Sequence, residues 1–465
     1  MKKFSKGQLI LYAFAGFGPS LLGTIFGTYL LNALMTKGFV VDVEHWTYMN
    51  KTIVAVTLYT ILIFVSKLMD GIMDIPLAGW TDSLKTRWGK RRPAILIGFI
   101  PMVISFVLFC FPISTAENSV ANSIYFGVLA TIFFTTYTLT FVTYYGTYSE
   151  VTVNSEDRIK LSNWKAFFDT VQYSIGYAII PVFIGLEINI QIIALASSPL
   201  MLTMLISLFM LKEKSTRPED VAKQREQEPI SPDAVVEEDI GFFESLKLTV
   251  KNKGFMKWLA VMAAFFFGLQ LFLAGQNVLA SGPMGLDGLQ TAILNTSAFA
   301  PVPITLMIYR AVMKKKGFRF AFQTALAAFA IAMISFSIAY VDWFPNPWIR
   351  LAIGATGGTI GSYGIGAFFM APYIIPSQMA AEELERTGKS HPSMYFAMQG
   401  FFNAIVAAVS TSLVWFLLRE YGGITGVQFM PVIVAVACVV SIILAFKLPQ
   451  TFNDLGRKDT LKLTE

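Results

Sequence analysis

The stretch Asp70-Gly-Ile-Met-Asp74-Ile-Pro-Leu-Ala-Gly-Trp-Thr-Asp82, which runs on through Ser83-Leu-Lys-Thr-Arg87-Trp-Gly-Lys-Arg-Arg-Pro93, decides how this chain is read. Its first part belongs to an otherwise apolar run, residues 53–79, long enough to cross a bilayer, and two carboxylates sit inside that run. A charge at bilayer depth costs about 3 kcal/mol on insertion scales, so intramembrane acids usually mark an ion or solute pathway. Helical residues four apart are separated by about 40° around the axis and about 6 Å along it, so Asp70 and Asp74 share a face and can converge on one cation. Lys67, three residues before Asp70, lies near the same face and can pair with it when no cation is bound. The competing reading is a salt-bridged helix whose acids only orient its neighbours.

Working outward, 465 residues with 55% hydrophobic and only 14% charged side chains are too apolar for an ordinary soluble protein, and a polytopic membrane protein is expected. About twelve stretches can span: residues 9–34, 53–79, 94–113, 123–145, 164–186, 190–211, 258–280, 289–312, 321–340, 351–375, 394–418 and 427–446. Lys2, Lys3 and Lys6 before an apolar run imitate a secretory signal, but the run continues to Leu34, so an uncleaved first helix is expected. With twelve spans, the basic residues (Lys2 to Lys6, Lys85 to Arg92, Arg158 and Lys160, Lys314 to Arg319, Arg457 and Lys458) fall on one side. That side is cytoplasmic by the positive-inside rule, which places both termini there, in a multi-pass protein of the cell membrane.

The net charge of +6 is thereby accounted for by topology, and no nucleic-acid partner is expected. Cys110 and Cys438 lie in separate spans and His45 and His391 in loops, which supports neither a disulfide framework nor a zinc or Ser-His-Asp centre. The chain is read as no enzyme, with no cofactor.

Between Lys212 and Gly254 the composition turns to Glu, Lys, Asp, Gln and Pro, a solvated linker that divides the spans six and six. The expected organisation is a bundle at 1–212, a linker at 213–253, a second bundle at 254–448 and a tail at 449–465, the arrangement of two parallel repeats. Arg87-Trp-Gly-Lys-Arg-Arg92 after the second span is echoed by Lys314-Lys-Lys-Gly-Phe-Arg319 after the eighth. Residues 241–250 have apolar positions at near-helical spacing and predict a short interfacial helix.

The acidic segment with its basic loop resembles the signature of the glycoside-pentoside-hexuronide:cation symporters, the melibiose-permease-like branch of the major facilitators. Tyr148-Ser-Glu-Val-Thr-Val-Asn-Ser-Glu-Asp-Arg158 is similar to that family's loop after the fourth span, and Lys251-Asn-Lys-Gly-Phe255 resembles its entry to the seventh. The resemblance implies an all-α membrane protein with two six-helix bundles, moving a sugar, glycoside or sugar acid by cation-coupled symport through alternating access. It places the cation site at Asp70 and Asp74, with Thr138 contributing a hydroxyl. It also implies a cytoplasmic gate made of Asp82, Gly89, Lys90, Arg91, Arg92, Glu150 and Arg158. Several positions depart from the melibiose type: Met73 replaces an asparagine, Phe141 a third acid, and Ser20 a first-span acid, while the fifth-span arginine aligns with Ala166 beside Lys165.

Na⁺ wants several oxygen ligands, which the side chains of Met73 and Phe141 do not supply, whereas a proton needs one carboxylate of raised pKa. H⁺ is therefore slightly favoured over Na⁺ as the ion at Asp70 and Asp74. Solute contacts are expected from Tyr144, Tyr145, Asp169, Gln172, Gln270, Gln276, Gln399 and Asn403, where rings can cover a sugar's apolar face and polar groups bond its hydroxyls. Each of these also suits an interfacial anchor or a helix-to-helix bond. The expected partners are a small sugar-like solute and the lipid bilayer, with the protein acting as a monomer. A transporter of a lysolipid or another amphiphile and a non-transporting membrane sensor are the alternatives.

Overall fold

A computed structural model describes residues 4–151, 155–213, 215–220, 242–387, 392–450 and 452. Among the described residues the secondary structure is helical, without strands. Eleven described helices are long and apolar enough to cross a membrane. The expected tenth span, 351–375, lies within a further helix of 41 residues, Pro347–Thr387.

In chain order the spans are α1 (Gly7–Leu30), α2 (Val56–Ser83), α3 (Arg91–Phe109), α4 (Val120–Gly146), α5 (from Ser155–Ser174 on to Gly185), α6 (Ile190–Met210) and α7 (Lys253–Ser281). They continue as α8 (Gly288–Lys316), α9 (Phe318–Ile338), α10 (Pro347–Thr387), α11 (Met394–Glu420) and α12 (Gly423–Ala445). Starts are set by capping side chains: Ser5 and Gln8 form a capping box ahead of α1, as do Asp287 and Gln290 ahead of α8, while Ser119 caps α4 and Asn252 caps α7. A short helix, Phe242–Lys251, stands where residues 241–250 predicted one.

The chain forms two compact units. The first contains 1–35, 46–176 and 189–236, and the second contains 36–45, 177–188 and 237–465. Two short segments of the N-terminal half of the sequence thus belong to the second unit. There the Val41 N–H donates to the Ser281 carbonyl at 3.1 Å, the Gly288 N–H to the Asp42 carboxylate at 2.8 Å, and Asn295 to the Tyr177 carbonyl at 2.6 Å.

Aromatic packing fills each unit. In the first, Phe26 stacks on Phe133 at 4.0 Å and meets Phe109 at 4.6 Å. In the second, Phe265 meets Phe368 at 4.0 Å and Phe272 stacks on Phe336 at 5.5 Å. Lipid tails are as apolar as these rings, so close packing rather than escape from water rewards such contacts within a membrane.

α1 and α5 each contain a wide turn that departs from α geometry. Ile25–Leu30 in α1 and Ile175–Ile179 in α5 are π-turns. A π-turn leaves carbonyls without the usual intrahelical donor. Here the Tyr29 hydroxyl of α1 donates to the Gly176 carbonyl of α5, bridging the two irregular turns.

Candidate functional site

The acids of α2 stand on a seam with α4. Leu62, Ser66, Asp70 and Asp74 follow one another at intervals of four, forming a single row along α2. The row starts where Gly127 of α4 permits close approach: a Cβ there would lie 2.8 Å from Leu62 Cβ, nearer than real Cβ atoms come. One turn further, the Ser66 and Thr131 hydroxyls are bonded at 2.6 Å. The next turn brings Asp70 to Thr138, whose hydroxyl donates to the carboxylate Oδ1 at 2.6 Å. Such a charge-assisted bond is worth about 1.5–3 kcal/mol. Lys67 holds its ammonium 5.6 Å from the Phe134 ring centroid, within cation–π range, and close enough to Asp70 for the two charges to act on each other. Asp74, one turn beyond Asp70, is half-buried. Asp70, Thr138 and Lys67 are thus brought together, with Asp74 next in the row.

A second polar cluster joins α1, α4 and α5. Lys165 is only 5% exposed, and its ammonium bonds the Asp169 carboxylate one turn along α5 and reaches Ser20 Oγ of α1 at 3.4 Å. It also lies 5.8 Å from the ring centroids of both Phe141 and Tyr145. Gly16 of α1 makes room, since a Cβ there would stand 3.2 Å from Lys165 Cε. Gln172 is buried and accepts a bond from the Thr24 hydroxyl at 3.0 Å. Asp169 keeps 30% of its side chain exposed. A carboxylate exposed on a membrane span faces water rather than hydrocarbon, so this cluster opens on a wet surface.

Sequence reasoning did not find Ser66 and Thr131 on the seam, nor Lys165, Ser20 and Thr24 in the second cluster. The spacing of Ser66 from Asp70 was the available signal on the seam.

Other expected contacts fall elsewhere. Tyr144 is fully buried, and its hydroxyl donates to the Tyr12 carbonyl at 2.5 Å, so its contacts are those of packing. Tyr145 is 44% exposed beside Lys165. In the second unit Gln399 accepts from Trp258 Nε1 at 2.9 Å and donates to the Pro372 carbonyl at 2.9 Å, tying α7, α10 and α11 together. Gln276 is buried, and Gln270 and Asn403 are partly exposed.

The basic loop after α2 is shaped by the residue that follows α6. Glu213 receives the N–H of Arg91 at 3.0 Å and that of Arg92 at 2.9 Å, capping α3 in place of a local side chain. Gly89 has φ of +83°, and a Cβ there would lie 2.3 Å from Glu213 Cβ. Lys90 leads into α3 at its N-cap. The side chains of Asp82, Glu150 and Arg158 lie outside the described residues. Among the described residues no group of three or more His, Cys, Asp or Glu is placed to hold a metal ion.

A family model described as MFS/sugar transport protein matches residues 11–448. A lactose permease from Lactobacillus helveticus is 25% identical over 243 residues, 48% of this chain and 37% of that protein, so the chain spans little more than a third of that curated relative's length. Among solved structures, the nucleoside transporter NupG superposes with a TM-score of 0.61 at 13% identity, over 95% of this chain and 98% of its own. A D-xylose-proton symporter gives 0.59 at 15% identity, over 97% and 99%. A POT family transporter gives 0.57 at 14% identity, over 96% of each. These likenesses show the same all-helical transporter fold.

Proposed function

The chain belongs to the MFS/sugar transport protein family, a family of multi-pass membrane transporters and not of enzymes, and we propose that it carries out cation-coupled symport of a neutral sugar or glycoside. The observation that carries this reading is the row on α2: two carboxylates, one bonded to a hydroxyl of α4, with an ammonium one turn away.

Coupling requires that the loaded and empty carrier prefer different conformations, because a ligand shifts an equilibrium only through differential affinity. In the empty carrier Lys67 offsets the charge of Asp70. A proton or Na⁺ arriving at Asp70 and Asp74 takes over that role and frees the ammonium to rest on Phe134. The donors near at hand are two carboxylates and one hydroxyl, a set that suits a proton better than Na⁺.

The Lys165 cluster supports a neutral solute. Its ammonium is enclosed and already neutralised by Asp169, so the charge left in contact with water is a carboxylate. A hydroxyl-rich solute can donate to Asp169 and lay an apolar face on Tyr145, whereas a sugar acid meets like charge. The lactose named for the bacterial relative is one such neutral solute and a first probe. The same reading places the protein in the cell membrane with both termini in the cytoplasm.

The test is uptake into proteoliposomes from a panel of neutral sugars, glycosides and uronides, with pH and Na⁺ gradients imposed separately. Gradient-driven accumulation of a neutral member is expected in the parent and not in Asp70→Asn or Asp74→Asn. Equal accumulation in parent and both variants removes the coupling role. Preference for a uronide removes the neutral-solute reading alone.

A further inference from the structure

The short helix Phe242–Lys251 and the first turns of α7 meet at an elbow built around one residue. Asn252 caps α7 by accepting from the Phe255 N–H at 3.1 Å, and its Nδ2 donates to the Tyr395 hydroxyl of α11 at 3.0 Å. Tyr395 is fully buried and packs edge-on against Phe255 at 4.7 Å, so the elbow is fastened to the body of its unit. Thr249 of the short helix is fully buried.

Four lysines project from this fastened elbow. Lys247 and Lys251 are one turn apart on the short helix, and Lys253 and Lys257 are one turn apart on α7, all exposed. None of the four has an ion pair or hydrogen bond among the described residues. No acidic residue occurs in the sequence from 245 to 286. Pro449 packs on Gly254, 3.3 Å from where a Cβ would stand, which brings the turn carrying the exposed Lys447 to the same place. Lys253, in the opening turn of α7, opposes the dipole of that helix. Val250, 46% exposed next to Lys251, adds an apolar side chain to the short helix.

We infer that this elbow is a docking ledge for anionic lipid head groups, with the two lysine pairs gripping lipid phosphates and Val250 resting at the head-group boundary. A rim of scattered basic residues serves orientation alone; a ledge concentrates exposed ammonium groups on a fixed frame at the membrane surface, where each contributes to attraction by an anionic leaflet. The partner is the phosphate diester of a lipid, presented in the plane of the bilayer.

Full-length protein in mild detergent, analysed by native mass spectrometry, is expected to retain added phosphatidylglycerol over phosphatidylcholine by about tenfold, a preference that falls as salt rises. The combined change Lys247→Gln, Lys251→Gln, Lys253→Gln and Lys257→Gln is expected to abolish it. The same four changed to Arg should keep it, and Lys314→Gln with Lys315→Gln and Lys316→Gln should leave it intact. If the fourfold Gln variant is not monodisperse, Lys247→Gln with Lys251→Gln, outside α7, takes its place and should lose a substantial part of the preference. An absent preference in the parent, an equal loss in the Lys314 to Lys316 variant, or displacement of the lipid by inorganic phosphate overturns the proposal.

Discussion

The α2–α4 seam and the Lys165 cluster of the first unit are both charged, both set within membrane spans, and arranged in opposite ways. On the seam two carboxylates face one ammonium, so the local charge is unbalanced. Around Lys165 one ammonium and one carboxylate are bonded to each other, and two aromatic rings cover the cation. An unbalanced site gains from the arrival of a positive charge; a balanced one offers direction and shape without asking for an ion. The difference is the ground on which the first is proposed for a driving cation and the second for a neutral solute.

That contrast is broken most severely by unbalancing the second region. Lys165→Met leaves the part-exposed Asp169 without its partner, and losing one member of such a hydrogen-bonded pair costs about 1–3 kcal/mol. Uptake is expected to fall by about 100-fold or more, with lower thermal stability, and Asp169→Asn added to the same chain should recover much of the stability. A double variant no more stable than Lys165→Met would show that the pair is not the unit described.

Next in size, Asp70→Asn is expected to abolish gradient-driven accumulation while solute counterflow across the same proteoliposomes persists, because Asn can still bond Thr138 and hold the seam. Loss of counterflow along with accumulation would mean that Asp70 is needed for solute binding as well, and the division of labour would fail. Thr138→Val removes the hydroxyl that donates to Asp70 and should weaken the apparent affinity for the coupling cation by about tenfold, whereas Thr138→Ser should stay close to the parent. Matching kinetics in the Val variant would remove Thr138 from the site.

The smallest effect tests whether the loop after α2 stands apart from both regions. Gly89→Ala forces a side chain into left-handed backbone and against Glu213, and is expected to cost about 1–2 kcal/mol of stability, read as a lower melting temperature. The solute preference among neutral sugars should not change; a changed preference would tie the loop to recognition.

How far these regions could be read from sequence follows from the distance between signal and role. Asp70 and Asp74 stand out because acids are rare in apolar runs, and Thr138 followed from resemblance. Eleven of the about twelve expected spans are found among the described residues, legible because apolar runs of spanning length alternate with short polar loops. Ser66 and Thr131 were not legible, since a hydroxyl in a span commonly bonds its own helix, and only the Gly127 crossing shows that these two meet. Lys165 was overlooked because a long side chain can reach a spot from a neighbouring backbone position, as it does through the gap at Gly16. Glu213 looked like the first residue of a linker, and its service to α3 depends on two segments more than 120 residues apart in sequence.

The bridged π-turns of α1 and α5 carry a consequence for sequence comparison. Each wide turn takes up one residue more than an α-helix would over the same rise and so keeps the residues beyond it in phase with the helix before it. A relative that lacks one residue within 25–30 or within 175–179 therefore closes that turn into plain α-helix while the rest of the span still faces the same neighbours, and single-residue gaps should be tolerated at these two places. A gap within 175–179 also removes the free carbonyl that the Tyr29 hydroxyl serves, so Tyr29 should be replaced in such a chain.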